Sequence, residues 1–207
     1  MRYIIMAGGN YHTAPKQLRL IKGEPIIART IRLLKENGVK DICISSNNPV
    51  FEQFGVPVIH HINTFGDGGM WIEGFCRIAE PTCFIFGDVI FSPEAIKEIV
   101  ETDTDDIEFF ASAPPFSRLY YKEWAEPFAF KIKDYRWFND SIALTKYAAA
   151  SGKFKRDPIA WELWQIIKDT PLNVIDYTNY HAINDYTCDC DSDQEYETFL
   201  RKVEVIV

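Results

Sequence analysis

A chain of 207 residues is long enough to bury a real core in one α/β domain, and 47% hydrophobic with 25% charged residues excludes wholesale disorder. The formal net charge of −8 argues against a general nucleic-acid partner, since such affinity comes from Lys and Arg neutralising phosphates; a nucleotide held by a local patch and a metal remains open. No apolar run reaches membrane-spanning length.

The first half alternates strand and helix patterns. Tyr3 to Ala7 is a short apolar run that ends in Gly8-Gly9, as a buried parallel strand does. The six residues before Ala7 are too few for a signal peptide's apolar segment, so a cytoplasmic protein without a membrane partner is expected. Ile26 to Leu34 carries a helical apolar stripe closed by Asn37-Gly38. Asp41 to Ser45 and Val56 to His60 read as strands, Gly68 to Ala79 as a helix, and Thr82 to Phe86 as a fourth strand ending at Gly87-Asp88. Ser92-Pro93 then opens a helix, Ser as N-cap and Pro in the first turn. In the second half Ile107 to Ala111, Pro127 to Lys133 and Asn173 to Tyr177 read as strands. Tyr135 to Ala150, Asp157 to Lys168 and Asp193 to Lys202 read as helices. With no internal repeat or linker, this gives one domain. Its two halves, residues 1–105 and 106–207, are expected to bind a nucleotide and an acceptor respectively.

Strand–helix repetition implies an α/β fold with a doubly wound, mainly parallel sheet. Ligands of such sheets bind at the carboxyl ends of the strands, where the loops after Ala7, Ser45, His60 and Phe86 meet. The five cysteines are Cys43, Cys76, Cys83, Cys188 and Cys190. They lack the paired two-residue spacings of a zinc site. Trp161 and Trp164, at helical spacing, suit a core or a homodimer interface.

Three clusters carry chemistry. Met6-Ala7-Gly8-Gly9 followed by Pro15-Lys16 places glycine amides and a lysine where phosphates can approach. Gly87-Asp88 sets a carboxylate at the end of a buried strand. Asp189-Cys190-Asp191 alternates two carboxylates before the acidic helix start Asp193-Gln194-Glu195. In the second half Lys131 and Lys133 share a strand face.

With Gly23-Glu24-Pro25-Ile26-Ile27, these motifs resemble the nucleotidyltransferase family with the glycosyltransferase-A-like, Rossmann-like nucleotide-diphospho-sugar transferase fold. That family includes sugar-phosphate nucleotidyltransferases, cytidylyltransferases and the molybdenum-cofactor guanylyltransferase. The resemblance implies that Ala7, Gly8, Gly9, Lys16, Asn63 and Gly68 surround an NTP. Family loops usually carry an Arg before the Pro-Lys; none is present here, and His12 is the candidate in its place. The resemblance further implies that Mg²⁺ is bound by Asp88 with Asp191 or Asp189, and that Glu126, Lys131 and Lys133 lie on the acceptor side. The activity implied is transfer of a nucleotidyl group to a small phosphorylated acceptor, with Lys16 and Asp88 in the catalytic roles. The run Pro15-Lys16-Gln17 tilts the donor towards CTP. The alternatives are a metal-dependent glycosyltransferase that uses an NDP-sugar, and a nucleotide-binding domain without catalysis.

Overall fold

The computed structural model describes residues 1–8, 15–60, 70–116, 122–172, 175 and 177–206. In chain order the strands are β1 (Arg2–Met6), β2 (Leu20–Ile21), β3 (Glu24–Pro25), β4 (Ile42–Ser45), β5 (Val58–Ile59), β6 (Thr82–Phe86), β7 (Val89–Ile90), β8 (Ile107–Ser112), β9 (Pro127–Ile132), β10 (His181–Ile183) and β11 (Cys188–Asp189). The helices are α1 (Ile26–Glu36), α2 (Pro93–Glu101), α3 (Tyr135–Ala150), α4 (Ala160–Ile167) and α5 (Asp193–Ile206).

Seven strands form one sheet in the order β10-β8-β9-β6-β1-β4-β5. β1 pairs in parallel with β4 and β6, β4 with β5, and β10 with β8. β9 runs antiparallel to both β6 and β8. The sheet is therefore mixed but mainly parallel, and it takes strands from both halves of the chain. β9 also shows that it is doubly wound. Phe130 meets Phe138 of α3 and Trp164 of α4, while the next side chain, Lys131, reaches carbonyls at the end of α2. Successive strand residues face opposite sides, so α2, with α1 packed on it, covers one face and the α3–α4 pair the other.

Local signals explain the elements that carry the site. In α1 the buried positions Ile27, Ile31 and Leu34 recur at helical spacing, and Gly38 at φ +81° closes it. Ser92 caps α2 by accepting from the Ala95 amide at 2.8 Å. Gly87 sits where β1 and β6 end together: its amide donates to Met6 O at 2.9 Å, and a Cβ there would lie 2.5 Å from that oxygen. Only glycine lets the chain turn this tightly and present Asp88. A second small core of Ile21, Ile26, Ile90, Cys188, Cys190 and Phe199 binds α5 and β11 to the segment around β2. Cys188 and Cys190 are thus buried thiols, and Trp161 and Trp164 are core residues.

Three expectations differ. Residues 70–79 hold a short 3-10 turn, Trp71–Gly74, instead of a helix. Trp71 and Phe75 are drawn into aromatic contacts with Phe84, Phe86, Phe130 and Phe138, and this packing overrides the local pattern; residues 61–69 lie outside the described residues. Residues 173, 174 and 176 also lie outside them, and Ile175 and Tyr177 carry no strand; among the described residues the sheet ends at β10. Finally, α4 begins at Ala160, after Pro158. No described helix is long and apolar enough to cross a membrane.

Candidate active site

A cavity of about 370 Å³ opens at the carboxyl ends of β1, β4 and β6, with Met6, Gly8, Ser45, Phe86 and Asp88 in its lining. Three chain segments bring the charged groups to it. Pro15 leads into a 3-10 turn, Lys16–Leu18, that sets Lys16 against Asp88 and Asp191 of the cavity lining. Gly87 delivers Asp88. Antiparallel pairing of β11 with β7 sets Asp189 opposite Val89, next to Asp88. Arg19 ties these segments, donating to Cys190 O and to Asp193, each at 2.7 Å, and Tyr196 closes the joint with a hydrogen bond to Leu20 O.

Lys16 Nζ lies 2.9 Å from Asp191 Oδ1 and 3.8 Å from Asp88 Oδ2. Asp191 Oδ2 lies 3.3 Å from a second lysine, Lys122. Lys122 also pairs with Glu126 and, at 3.6 Å, with Glu195. Glu126 accepts from the Asp189 amide at 3.1 Å, and Glu195 accepts from the Asp191 and Ser192 amides in a capping box at the start of α5.

Burial shapes the charges. It raises the Asp88 carboxyl above its ordinary pKa, against the pull of Lys16. Asp189 is held well above the usual range by burial and by repulsion from Asp88 and Asp191. Burial acts in the same sense on Asp191, but Lys16 and Lys122 outweigh it and hold this carboxyl low. Glu126 is pushed up to about 7 by burial, against Lys122. Burial also works against the charge on Lys16 and Lys122, yet the surrounding carboxylates raise both above the ordinary lysine value.

Among the described residues no three His, Cys, Asp or Glu side chains form a metal cage. Mg²⁺ does not need one, being usually held by one or two carboxylates plus substrate phosphates. The donor set fits it: Asp88 and Asp189, neighbours through the β7–β11 pairing, both line the cavity as oxygen ligands of the kind Mg²⁺ takes.

The structure brings Lys16, Asp88, Asp189, Asp191, Glu126 and Gly8 together. Ala7 is beside them, but its N–H donates to Ser45 O and its C=O accepts from Ser46 Oγ, so its backbone serves the sheet and not a ligand. Gly9, His12, Asn63 and Gly68 lie outside the described residues. Lys131 and Lys133 require correction. Lys131 Nζ is buried against the carbonyls of Ile99, Val100 and Thr102 at the end of α2, at 2.9, 2.9 and 2.5 Å. Lys133 pairs with Asp105 at 2.5 Å. The cause is strand direction: β9 is antiparallel, so its amino end, Glu126-Pro127, faces the crevice and its lysine end points away.

Sequence reasoning missed Lys122, which has no motif around it, and the walls of the cavity's second half: Trp71, Trp124, Ile159, Trp161 and Tyr177, with Arg156 at the rim. Arg156 Nε donates to the buried Glu162 at 2.7 Å. Gln17, buried in the lining, belongs to a motif the sequence did flag.

No family model matches the chain, and no curated protein matches it in sequence. Solved structures do. CTP:phosphocholine cytidylyltransferase from Streptococcus pneumoniae is 17% identical, with a TM-score of 0.56 and 98% of each chain covered. A Bacillus anthracis protein assigned as a glucose-1-phosphate thymidylyltransferase is 16% identical, with a TM-score of 0.60, covering 97% of this chain and 94% of that one. HddC from Yersinia pseudotuberculosis is 15% identical, with a TM-score of 0.54, covering 98% and 99%. The chain has the fold that these three proteins share, two of them nucleotidyltransferases by name.

Proposed function

We propose that the chain is a nucleotidyltransferase that moves an NMP group from an NTP to a small phosphorylated acceptor and releases pyrophosphate. The observation that carries this reading is the meeting of Lys16, Asp88, Asp189 and Asp191 at the mouth of one cavity. The acceptor's phosphate oxygen attacks the α-phosphorus in line. It is already ionised, so no general base is needed, and catalysis reduces to alignment and charge neutralisation. Lys16 leaves Asp191 for the donor phosphates and neutralises the charge that develops on them. Asp88, with Asp189 or Asp191, would hold Mg²⁺, which when bound supplies Lewis-acid polarisation of the phosphate. The Gly8 end of β1 admits the phosphates closely, because no side chain stands in the way.

The acceptor occupies the second half of the cavity. Arg156, held by Glu162, takes the place of Lys131 and Lys133 as the cation facing the acceptor, and Trp124, Trp161 and Tyr177 provide an apolar wall for its body. CTP is the favoured donor on the Pro15-Lys16-Gln17 motif, and the buried Gln17 amide supplies one donor and one acceptor group for the edge of a base.

The test is a screen of the four NTPs with phosphorylated sugars, polyols and choline-type acceptors, with and without Mg²⁺, reading pyrophosphate release. Calorimetry with each NTP then sets the base. A cytosine pocket binds CTP at least tenfold more tightly than UTP, about 1.4 kcal/mol. Preference for another base removes the cytidylyl assignment alone; binding of an NDP-sugar and of no NTP removes the whole reading.

A further inference from the structure

Asp191 lies between two ammonium groups, Lys16 on Oδ1 and Lys122 on Oδ2. The two lysines are held differently. Lys16 sits on a short 3-10 turn at the cavity mouth, its side chain 12% exposed. Lys122 is 3% exposed and shared by three segments: Glu126 at the start of β9, Asp191 after β11, and Glu195 in the first turn of α5. It also approaches the Asp189 carbonyl at 3.5 Å. Withdrawing Lys122 would strand Glu126, itself 2% exposed, as a buried uncompensated carboxylate, which is strongly unfavourable. When Lys16 moves, Asp191 keeps Lys122 as a partner and Asp88 keeps 23% of its side chain in solvent, and a polyphosphate offers Lys16 a multiply charged partner.

We propose that Lys122 is a positioning residue that makes Lys16 transferable. It stays on Asp191 as a fixed counter-ion while Lys16 passes from Asp191 to the phosphates of the incoming nucleotide. The inference rests on the nucleotidyltransferase reading of the site and adds a division of labour between its two lysines. Two cations on one carboxylate repel each other, so Lys122 loosens the hold of Asp191 on Lys16. Its charge also offsets part of the field of Asp88, Glu126, Asp189 and Asp191, which would otherwise repel a polyanion.

Removing that charge therefore shifts two ligands in opposite directions. A nucleotide polyanion binds more weakly, because Lys16 is held tighter and the cluster is more negative. A bare divalent cation binds more tightly, for the second reason alone. A residue with a purely structural role weakens both.

Calorimetry measures CTP binding in excess EDTA, and Mn²⁺ binding without nucleotide, for the native chain, Lys122→Met, Lys122→Arg, Lys16→Met and the double variant Lys16→Met/Lys122→Met. In Lys122→Met, CTP weakens about fivefold or more, the lower end of ordinary couplings between interacting groups, while Mn²⁺ tightens. Lys122→Arg restores both. In the Lys16→Met background the effect of Lys122→Met on CTP shrinks, because part of it acted through Lys16. Where Lys122→Met does not fold, Lys122→Met/Glu126→Gln, which removes the buried pair together, is compared with Glu126→Gln, and the same opposed shifts are expected. Parallel weakening of CTP and Mn²⁺, or an undiminished effect without Lys16, overturns the inference. A native chain that binds no NTP and releases no pyrophosphate overturns the reading of the site and this inference with it. A native chain active in both assays whose variants show parallel shifts overturns the inference alone.

Discussion

Asp88 is a costly residue where it stands, because burial disfavours its charge and Asp191 adds to the penalty. Asp88→Asn keeps its shape and removes the charge. Thermal unfolding is expected to stay at the native midpoint or rise, while Mg²⁺-dependent pyrophosphate release disappears; preserved turnover would remove Asp88 from the machinery. Lys16→Ala is expected to cost about 2–4 kcal/mol of transition-state stabilisation, the scale of one preorganised donor. Steady-state kinetics should show it against the nucleotide; a change confined to the acceptor's KM would assign Lys16 elsewhere. Lys131→Met acts oppositely. It leaves the carbonyls of Ile99, Val100 and Thr102 at the end of α2 without their ammonium partner and is expected to cost about 1–3 kcal/mol in a urea titration. Its acceptor KM should be unchanged, and a raised one would return Lys131 to the site. These three residues mark how far the sequence can be read at this scale. Lys16 and Asp88 are legible because each stands in a contiguous motif where glycine or proline fixes the local backbone. Lys131 is misread because strand alternation gives the face of a side chain but not which end of the strand meets the ligand; that depends on β9 running antiparallel, a property of pairing. Lys122 stands in no motif: only Glu126 is near it in sequence, and Asp191, the partner that brings it to the site, lies 69 residues on.

At the scale of elements the joint between β1 and β6 is decisive. Gly87→Ala would set a methyl group 2.5 Å from Met6 O and 3.2 Å from Ile5 Cγ2. The two strand ends must part, at a cost of roughly 1–3 kcal/mol as for other overpacked sites, and Asp88 moves with them. Stability and turnover per folded molecule should both fall; loss of one without the other would separate the joint from the site. Ser92→Ala supplies the contrast. It removes the α2 cap and a hydrogen bond to Asp185, expected to cost about 1 kcal/mol with turnover per folded molecule unchanged. Elements with caps and clean periodicity, such as α1, α2 and α3, are legible from sequence. The segment around Trp71 and Phe75 is not, because its conformation is set by rings from β6, β9 and α3 that lie elsewhere in the chain.

Across the whole molecule the sheet is centred on β6, with β1 and β9 beside it and β5 and β10 at the rims. Amide exchange should be slowest in β1, β6 and β9 and fastest in β5 and β10, where pairing is one-sided; equal protection at rim and centre would contradict this topology. The contact between Lys16 and Asp191 joins positions 175 apart in the chain. At translation rates of about 5–20 residues per second, the ribosome has delivered β1 through β9, six of the seven strands of the main sheet, by Ile132. Asp191 follows 191 − 132 = 59 residues later, roughly 3–12 s at those rates. During that interval a nascent chain can pair most of its sheet and carry both Lys16 and Asp88, yet it holds no assembled site. A message cut short between the codons for Ile132 and Asp191 yields a chain with six strands of the main sheet, Lys16 and Asp88, but without the carboxylate that Lys16 and Lys122 share.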